Sequence, residues 1–450
     1  MTQPTPDLVI DAEPTKTFFV DMLTRDIALE QAVLDLVDNT VDAAKGMAKE
    51  GPLPFDGCEV SILLNSEYFK ITDNCGGFDS QTAASYAFKF GRPTGTHRTP
   101  HSIGQFGVGM KRALFKFGHH FNVRSATKND SWCVDVDVHQ WETQPGWSFP
   151  WGDFVPDRAV SQDRPGTEII VTSLRPEVST RFATDRFKNT IITLIKSKHR
   201  QFISGGLRIT VNGTPLTTTN IFLLVQGSNF RPGVQESTFT WPNDAVTKIK
   251  IIVGLGNSSP KEAGWYVICN GRVILEADRR DVTGWGVVEE MANGGMAIPS
   301  FHNQYARFRG IVTFDSDDSA QVPWNTTKTD VDQDSPVWRQ TATRMMEMMR
   351  PVINFLNELD ADIDEHTRDD SPMYQFVSSA ALVKAEDLPA QSAFVAPPRG
   401  TIAKKVRTIK IQYSRPVDKV DFLMSELSLG TAKSVGEKAF DLLYERMGGE

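Results

Sequence analysis

Over residues 30–45 the apolar positions recur at helical spacing. Val33, Leu36, Val37, Val41 and Ala44 fall on one side of a helix, while Asp35, Asn39 and Asp42 fall at i, i+4 and i+7 on the other. Asn and Asp are weak helix formers, and this polar arc carries no Lys, Glu or Arg, the usual residues of a solvated face. The pattern then changes period. Val60-Ser-Ile-Leu-Leu and Tyr68-Phe-Lys-Ile-Thr predict a hairpin turning at Asn65-Ser66-Glu67. Met110-Lys-Arg-Ala-Leu-Phe-Lys-Phe predicts a second helix, and Ile169-Ile-Val-Thr a further strand. Beyond these come a helix over 184–201, strands at 207–211, 248–253, 264–274 and 308–314, and a helix over 336–359. The fold class is therefore α/β, with an α/β first part followed by an α+β second part.

Short polar and glycine motifs punctuate the first part. The Asp35/Asn39/Asp42 arc offers only oxygen ligands, which suits Mg²⁺, a hard cation that keeps most of its waters. An ordinary solvated helix face would present similar residues. Asp73-Asn-Cys-Gly76-Gly77 follows directly on a strand. A carboxylate there can accept a hydrogen bond from an exocyclic amine while glycine backbone approaches a flat ring; a plain Asx/Gly turn has the same composition. Gly104-Gln105-Phe106-Gly107-Val108-Gly109 opens a helix, and backbone amides at such a start bind phosphate. Its spacing is neither the dinucleotide GxGxxG nor the P-loop GxxxxGK[ST]. The preceding stretch, 89–101, mixes glycine, proline and basic residues, as a lid over phosphates would.

Taken in this order, Asp35-x-x-x-Asn39-x-x-Asp42-Ala43, Asp73-x-x-Gly76-Gly77, Gly104-x-x-Gly107-x-Gly109 and Gly166-Thr167 resemble the GHKL ATPases: DNA gyrase B, the ninety-kilodalton heat-shock chaperone, MutL, sensor histidine kinases and the MORC proteins. The resemblance covers the first 170 residues or so and implies a Bergerat-type α/β sandwich holding ATP and Mg²⁺. Carried over by position, Asn39 would ligate Mg²⁺ and Asp73 would bind the adenine amine. Gly77 would border the base, and Gly104, Gln105, Phe106, Gly107, Val108 and Gly109 would wrap the phosphates. Thr167 would support Asp73. Asp35 stands where the family's general base is usually Glu, so its carboxylate is one methylene shorter, and Cys75 stands where the family often has Gly.

The chain continues far beyond Thr167, unlike a sensor kinase. Its strands and long helix resemble the transducer domain of the gyrase, MutL and MORC branch. The loop Val322-Pro-Trp-Asn-Thr-Thr-Lys328-Thr-Asp330 resembles the transducer loop, whose lysine reaches the γ-phosphate, which implies a catalytic role for Lys328. Asn270-Gly271-Arg272 resembles a MORC-type strand turn, and a plain hairpin turn fits it equally well. The domain expectation is an ATP-binding domain over 1–180, a transducer-like domain over 181–358, a Pro/Ala/Ser-rich linker over 359–400 and a small C-terminal αβ unit over 401–450. In that unit one strand and helices at 418–429 and 434–446 would enclose Phe422, Leu423, Leu427, Phe440, Leu442 and Leu443.

Composition narrows the function classes. The four cysteines are widely spaced without CxxC, and the eight histidines form no HExxH, so neither a zinc site nor a disulfide framework is predicted. No apolar run reaches spanning length and no signal peptide opens the chain, so the expectation is a cytoplasmic protein with no membrane partner. A net charge of −8 argues against general polyanion binding; residues 399–415, with Lys404, Lys405, Arg407 and Lys410, are one local basic candidate, which a charged edge strand explains as well. The MORC-like resemblance implies an ATP-dependent homodimer acting on DNA or a protein effector, with bacterial defence as an associated process. An ATP-binding regulator without turnover and a chaperone-like activity are the alternatives.

Overall fold

The computed structural model describes residues 13–89, 100–104, 107–287, 298–362, 371–390, 392–397 and 411–448. The chain forms two compact units, Met1–Gly400 and Thr401–Glu450. The first unit begins with helices α1 (Lys16–Arg25) and α2 (Leu29–Gly46), then β1 (Glu59–Leu64) and β2 (Phe69–Asp73). A short turn α3 (Ser80–Thr82) precedes α4 (Gly109–Phe117), β3 (Gly118–Ala126), β4 (Ser131–Asp137), α5 (Val138–Thr143), β5 (Trp151–Gly152) and β6 (Gly166–Leu174). Helices α6 (Pro176–Phe182), α7 (Asp185–Lys198) and α8 (Arg200–Ser204) lead to β7 (Arg208–Val211) and β8 (Thr214–Pro215).

These strands form an eight-stranded sheet in the order β5-β4-β3-β6-β2-β1-β7-β8, antiparallel except for the β1–β7 pair. The predicted alternation is realised. Val60, Ile62 and Leu64 of β1 and Phe69 and Ile71 of β2 face one core, shared with Val33, Val37 and Val41 of α2 and Leu114 and Phe117 of α4. The hairpin turn is closed by the Asn65 side chain, whose Oδ1 accepts from the amides of Glu67 (2.8 Å) and Tyr68 (2.9 Å).

Strands β9 (Phe222–Val225), β10 (Gly233–Thr240), β11 (Val246–Leu255), β12 (Gly264–Cys269), β13 (Arg272–Asp278) and β14 (Phe308–Ser316) follow, then α9 (Pro336–Asp362), α10 (Pro372–Ser379) and β15 (Ala381–Lys384). A second sheet runs β10-β11-β14-β12-β13. All six residues of β12 are buried, and α9 lays Met345, Met349 and Val352 into the core beneath.

Three expectations are corrected here. The boundary at residue 180 falls within the first sheet's own chain, because β7 pairs in parallel with β1 after the helical crossover. The segment read as a linker is built into the first unit where it is described: β15 pairs antiparallel with β9, and Val377 of α10 is fully buried. Its Pro/Ala/Ser composition concealed a short edge strand. The second unit carries helices α11 (Val417–Glu426) and α12 (Ala432–Arg446), close to the expected spans, but the described part of the expected strand is irregular. Phe422, Leu423, Leu427, Phe440, Leu442 and Leu443 are all exposed and only Val435 is buried, since two short helices are too few to enclose a core. Lys404, Lys405, Arg407 and Lys410 lie outside the described residues. Among the described residues no helix is long and apolar enough to cross a membrane.

Candidate functional site

The first sheet and α2 leave a cavity of about 330 Å³ between them, within the usual size range of ligand pockets. Asp35, Asn39, Asp73, Gly77, Gly104, Gly107, Val108, Gly109, Thr167 and Lys328 all line it, so residues separated by almost 300 positions converge on one space. Gln105 and Phe106, and residues 90–99 of the expected lid, lie outside the described residues.

One end of the cavity is built on β2 and β6. Asp73 is the last residue of β2 and pairs in register with Thr167 on β6. The preceding Gly166 permits that pairing: a Cβ there would meet the Asp73 carbonyl oxygen at 2.0 Å. Gly77 has φ +63°, and a Cβ would approach the Ala126 carbonyl oxygen to 2.2 Å, so no other residue fits this turn. The Asp73 carboxylate accepts from the Cys75 amide at 2.8 Å, and no cation pairs with it among the described residues. Burial pushes its pKa up to about 7, against the pull of the Cys75 and Thr167 backbone amides. Thr167 Oγ1 lies 3.0 Å from the Ser125 hydroxyl. Leu36, Ile71, Phe78, Met110 and Ile169 supply apolar surface. This end offers a flat apolar slot with one deep hydrogen-bond acceptor.

The other end is charged. Asp35 lies under the start of α4: its Oδ2 accepts from Arg112 at 2.9 Å and its Oδ1 from Gln31 at 3.1 Å. Lys328 Nζ stands 3.8 Å from Asp35 and 2.8 Å from Asp38, and is itself nearly buried. Asp38 is fully buried among Lys328, Arg272 (2.8 Å) and His199 (2.9 Å). Burial pushes the Asp38 carboxyl up, but Arg272, Lys328 and His199 together more than offset this and hold it far below the usual carboxylate range. Burial keeps His199 neutral against the pull of Asp38, so its Nε2–H donates to Asp38. Around Asp35 and Asp38, two carboxylates thus face three cations, Arg112, Arg272 and Lys328; of the other charged residues lining the phosphate-side wall, Asp42 pairs with Lys45 and Lys111 adds a further positive charge. An anionic group entering this end meets complementary potential.

Asn39 presents its amide to the cavity between these ends, with no hydrogen-bond partner among the described residues. Asp42, the third residue of the predicted arc, is already engaged: it accepts from the amides of Ile103 (2.7 Å) and Gly104 (2.8 Å) and so anchors the entry to the glycine motif. That motif leads into α4 as expected, with Gly107 at φ +63° and the helix starting at Gly109. The α4 amides accordingly open toward the cavity.

Asp38, His199, Gln31 and Arg112 were not singled out by the motifs, nor was Arg272 as a site residue. Asp38 sits about 60° from Asp35 around the helix, on the same polar side, which the 3.6-residue period could have shown. His199 gave no local signal, and Arg272 only the turn motif in which it stands.

Residues 27–154 match the family described as "Histidine kinase-, DNA gyrase B-, and HSP90-like ATPase". No curated protein matches the chain. The match covers α2, the Asp73 motif and the glycine motif, and stops before Thr167 and Lys328. It supports ATP binding as the activity of this pocket. The chain is thus a mixed α/β protein with a GHKL-type ATPase domain at its N-terminal end, followed by further sheet and helix.

Proposed function

We propose that this protein is a Mg²⁺-dependent ATPase of MORC-like organisation, an ATP-driven conformational switch that dimerises when nucleotide binds and acts on DNA or a protein effector. The observation that carries the reading is the polarity of this cavity: an apolar slot over Asp73 at one end, an excess cation at the other. Adenine fits the first, its exocyclic amine donating to Asp73. Phosphates fit the second, against the backbone at Gly107–Gly109 and toward Lys328. Asn39 would supply one oxygen to Mg²⁺, and the phosphates and water the rest, as this ion prefers. Lys328 would neutralise charge developing on the γ-phosphate. Asp35 would take a proton from the attacking water, which requires that water to reach a carboxylate already engaged by Arg112 and Gln31.

That engagement favours a second reading, a regulator that binds ATP without turning it over. Steady-state hydrolysis with Mg²⁺ at several protein concentrations separates the two. Turnover that rises faster than linearly with protein and disappears in Asp35→Asn is the result expected of a dimerising ATPase. Tight binding without turnover in either protein selects the regulator.

A further inference from the structure

The turn between β12 and β13, Asn270-Gly271-Arg272, reaches out of the second sheet to both halves of the phosphate end. Asn270 is nearly buried; its Nδ2 donates to the Ser102 carbonyl at 3.1 Å and its own carbonyl accepts from Lys45 at 3.0 Å. Lys45 also donates to the His101 carbonyl at 2.7 Å. With Asp42 holding the Ile103 and Gly104 amides, four consecutive residues entering the glycine motif are pinned. Two residues along, the fully buried Arg272 donates through Nη1 to the Lys328 carbonyl at 3.0 Å and pairs with Asp38 through Nε at 2.8 Å. One guanidinium thus holds both the backbone that carries Lys328 and the carboxylate that holds its ammonium group. Gly271 between them has φ +83°, and a Cβ would strike the Phe202 ring at 2.7 Å, so the turn is pressed close against α8.

Backbone conformation marks the same junction. Among the described residues, eight non-glycine positions have positive φ, and His101 (57°), Asn270 (47°) and Lys328 (55°) are three of them. Such conformations persist where the surroundings over-determine them, and here each is held by the contacts just described.

We propose that the Asn270-Gly271-Arg272 turn is a positioning clamp for the nucleotide site: Asn270 sets the entry to the glycine motif and Arg272 sets the Lys328 loop, so the second sheet fixes both phosphate contacts at once. The proposal rests on the ATP reading of the cavity. Asn270 and Arg272 act through Ser102 and Lys328, not on the nucleotide itself. The two arms therefore have different signatures. Loss of the Arg272 arm displaces a lysine directed at the γ-phosphate, which ATP has and ADP lacks. Loss of the Asn270 arm loosens a segment that contacts phosphates common to both.

The test is titration of the full chain with a non-hydrolysable ATP analogue and with ADP, each with Mg²⁺. Arg272→Lys keeps the charge but loses the two-pronged reach; it is expected to weaken the ATP analogue about 10-fold and ADP less than about 2-fold. Asn270→Gly keeps the backbone conformation and removes the amide; it is expected to weaken both nucleotides about 3- to 10-fold at an unchanged ratio. Arg309→Lys is the control: Arg309 is a buried arginine of the same second sheet, bonded to the carbonyls of Ala306, Phe308 and Asn257, and its substitution should leave the ratio unmoved. Unchanged affinities in folded Arg272→Lys and Asn270→Gly proteins would overturn the clamp, as would an equal change of ratio in Arg309→Lys. If Arg272→Lys fails to fold, the Asn270→Gly result decides. A wild-type chain that binds neither nucleotide would instead overturn the ATP reading, and the clamp with it.

Discussion

Asp73 and Asp38 are two buried carboxylates at opposite ends of one site, and their surroundings drive them in opposite directions. Asp73 has backbone amides but no cation among the described residues, so burial dominates and its pKa rises to about 7. Asp38 is buried more completely, yet Arg272, Lys328 and His199 hold it far below the ordinary range. Burial alone does not fix the state of an acid; the partners that desolvation leaves beside it do. The difference fits the roles proposed for the two ends. An uncompensated acceptor suits a neutral amine donor, and a carboxylate outnumbered by cations leaves positive charge for an anion.

Removing the Asp38 carboxylate should have the largest effect. Asp38→Ala leaves Arg272 buried without its counter-charge and Lys328 with only Asp35 at 3.8 Å, a loss of about 3–5 kcal/mol by analogy with broken buried pairs, read by urea denaturation. A loss below about 1 kcal/mol, the value of an exposed pair, would mean the cluster is solvated rather than dry.

Asp73→Asn should leave the fold intact and weaken ATP about 10- to 100-fold, the effect of losing one charge-assisted hydrogen bond. Retained affinity would place the adenine elsewhere.

The pair also predicts opposite pH slopes. Asp73 has a folded pKa above its ordinary 3.8, so its contribution to stability is full below that value and is lost as pH rises toward about 7. Asp38 is depressed, so its contribution is present above 3.8 and lost as pH falls below it. His199, lowered by burial from 6.5, adds a loss as pH falls through that value, because the unfolded chain then takes up the proton. Relative to wild type, Asp73→Asn should therefore gain stability as pH rises from about 4 to about 7, as thermal unfolding in matched buffers would record. Parallel profiles for the two proteins would show that Asp73 carries no raised pKa.

The smallest effect is expected at Thr167. Thr167→Val removes the hydroxyl that meets Ser125 and should cost about 0.5–1.5 kcal/mol, with a weaker effect on nucleotide affinity than Asp73→Asn.

The Asp73 end was legible in the sequence because its residues are local. Asp73 and Gly77 lie four positions apart at a strand end, and the sequence pattern puts Asp73 directly after one strand and Thr167 just before another; both prove to belong to those strands and pair with each other. The helix carrying Asp35 and Asn39 was legible for the same reason. Asn39, Asp73, Gly77, the described glycines and Thr167 do converge, as the motif order suggested. The charged end was only partly legible. Lys328 was reached through a family likeness, while the acid it pairs with is 290 residues away and His199 is 161 residues from the same acid. No periodicity links such positions; the packing of α7 against α2 brings His199 to Asp38, and the packing of the second sheet against the first brings Lys328. Residues 371–397 were misread for a different reason. Their composition resembles a linker, but pairing with β9 needs only a four-residue edge strand, too short to stand out in the pattern. In the second unit the helix periods were correct, and the error was to infer burial from them without an opposing layer.

The measurement that tests the central claim most directly is calorimetric titration of the whole chain with a non-hydrolysable ATP analogue and Mg²⁺, in wild type and in Asp73→Asn, with the matching GTP analogue as comparator. Saturable one-site binding of the ATP analogue, much weaker binding of the GTP analogue, and a 10-fold or greater loss in Asp73→Asn is the result predicted for an adenine slot over Asp73. Absence of binding by the wild-type protein, or equal binding by both proteins, would contradict it.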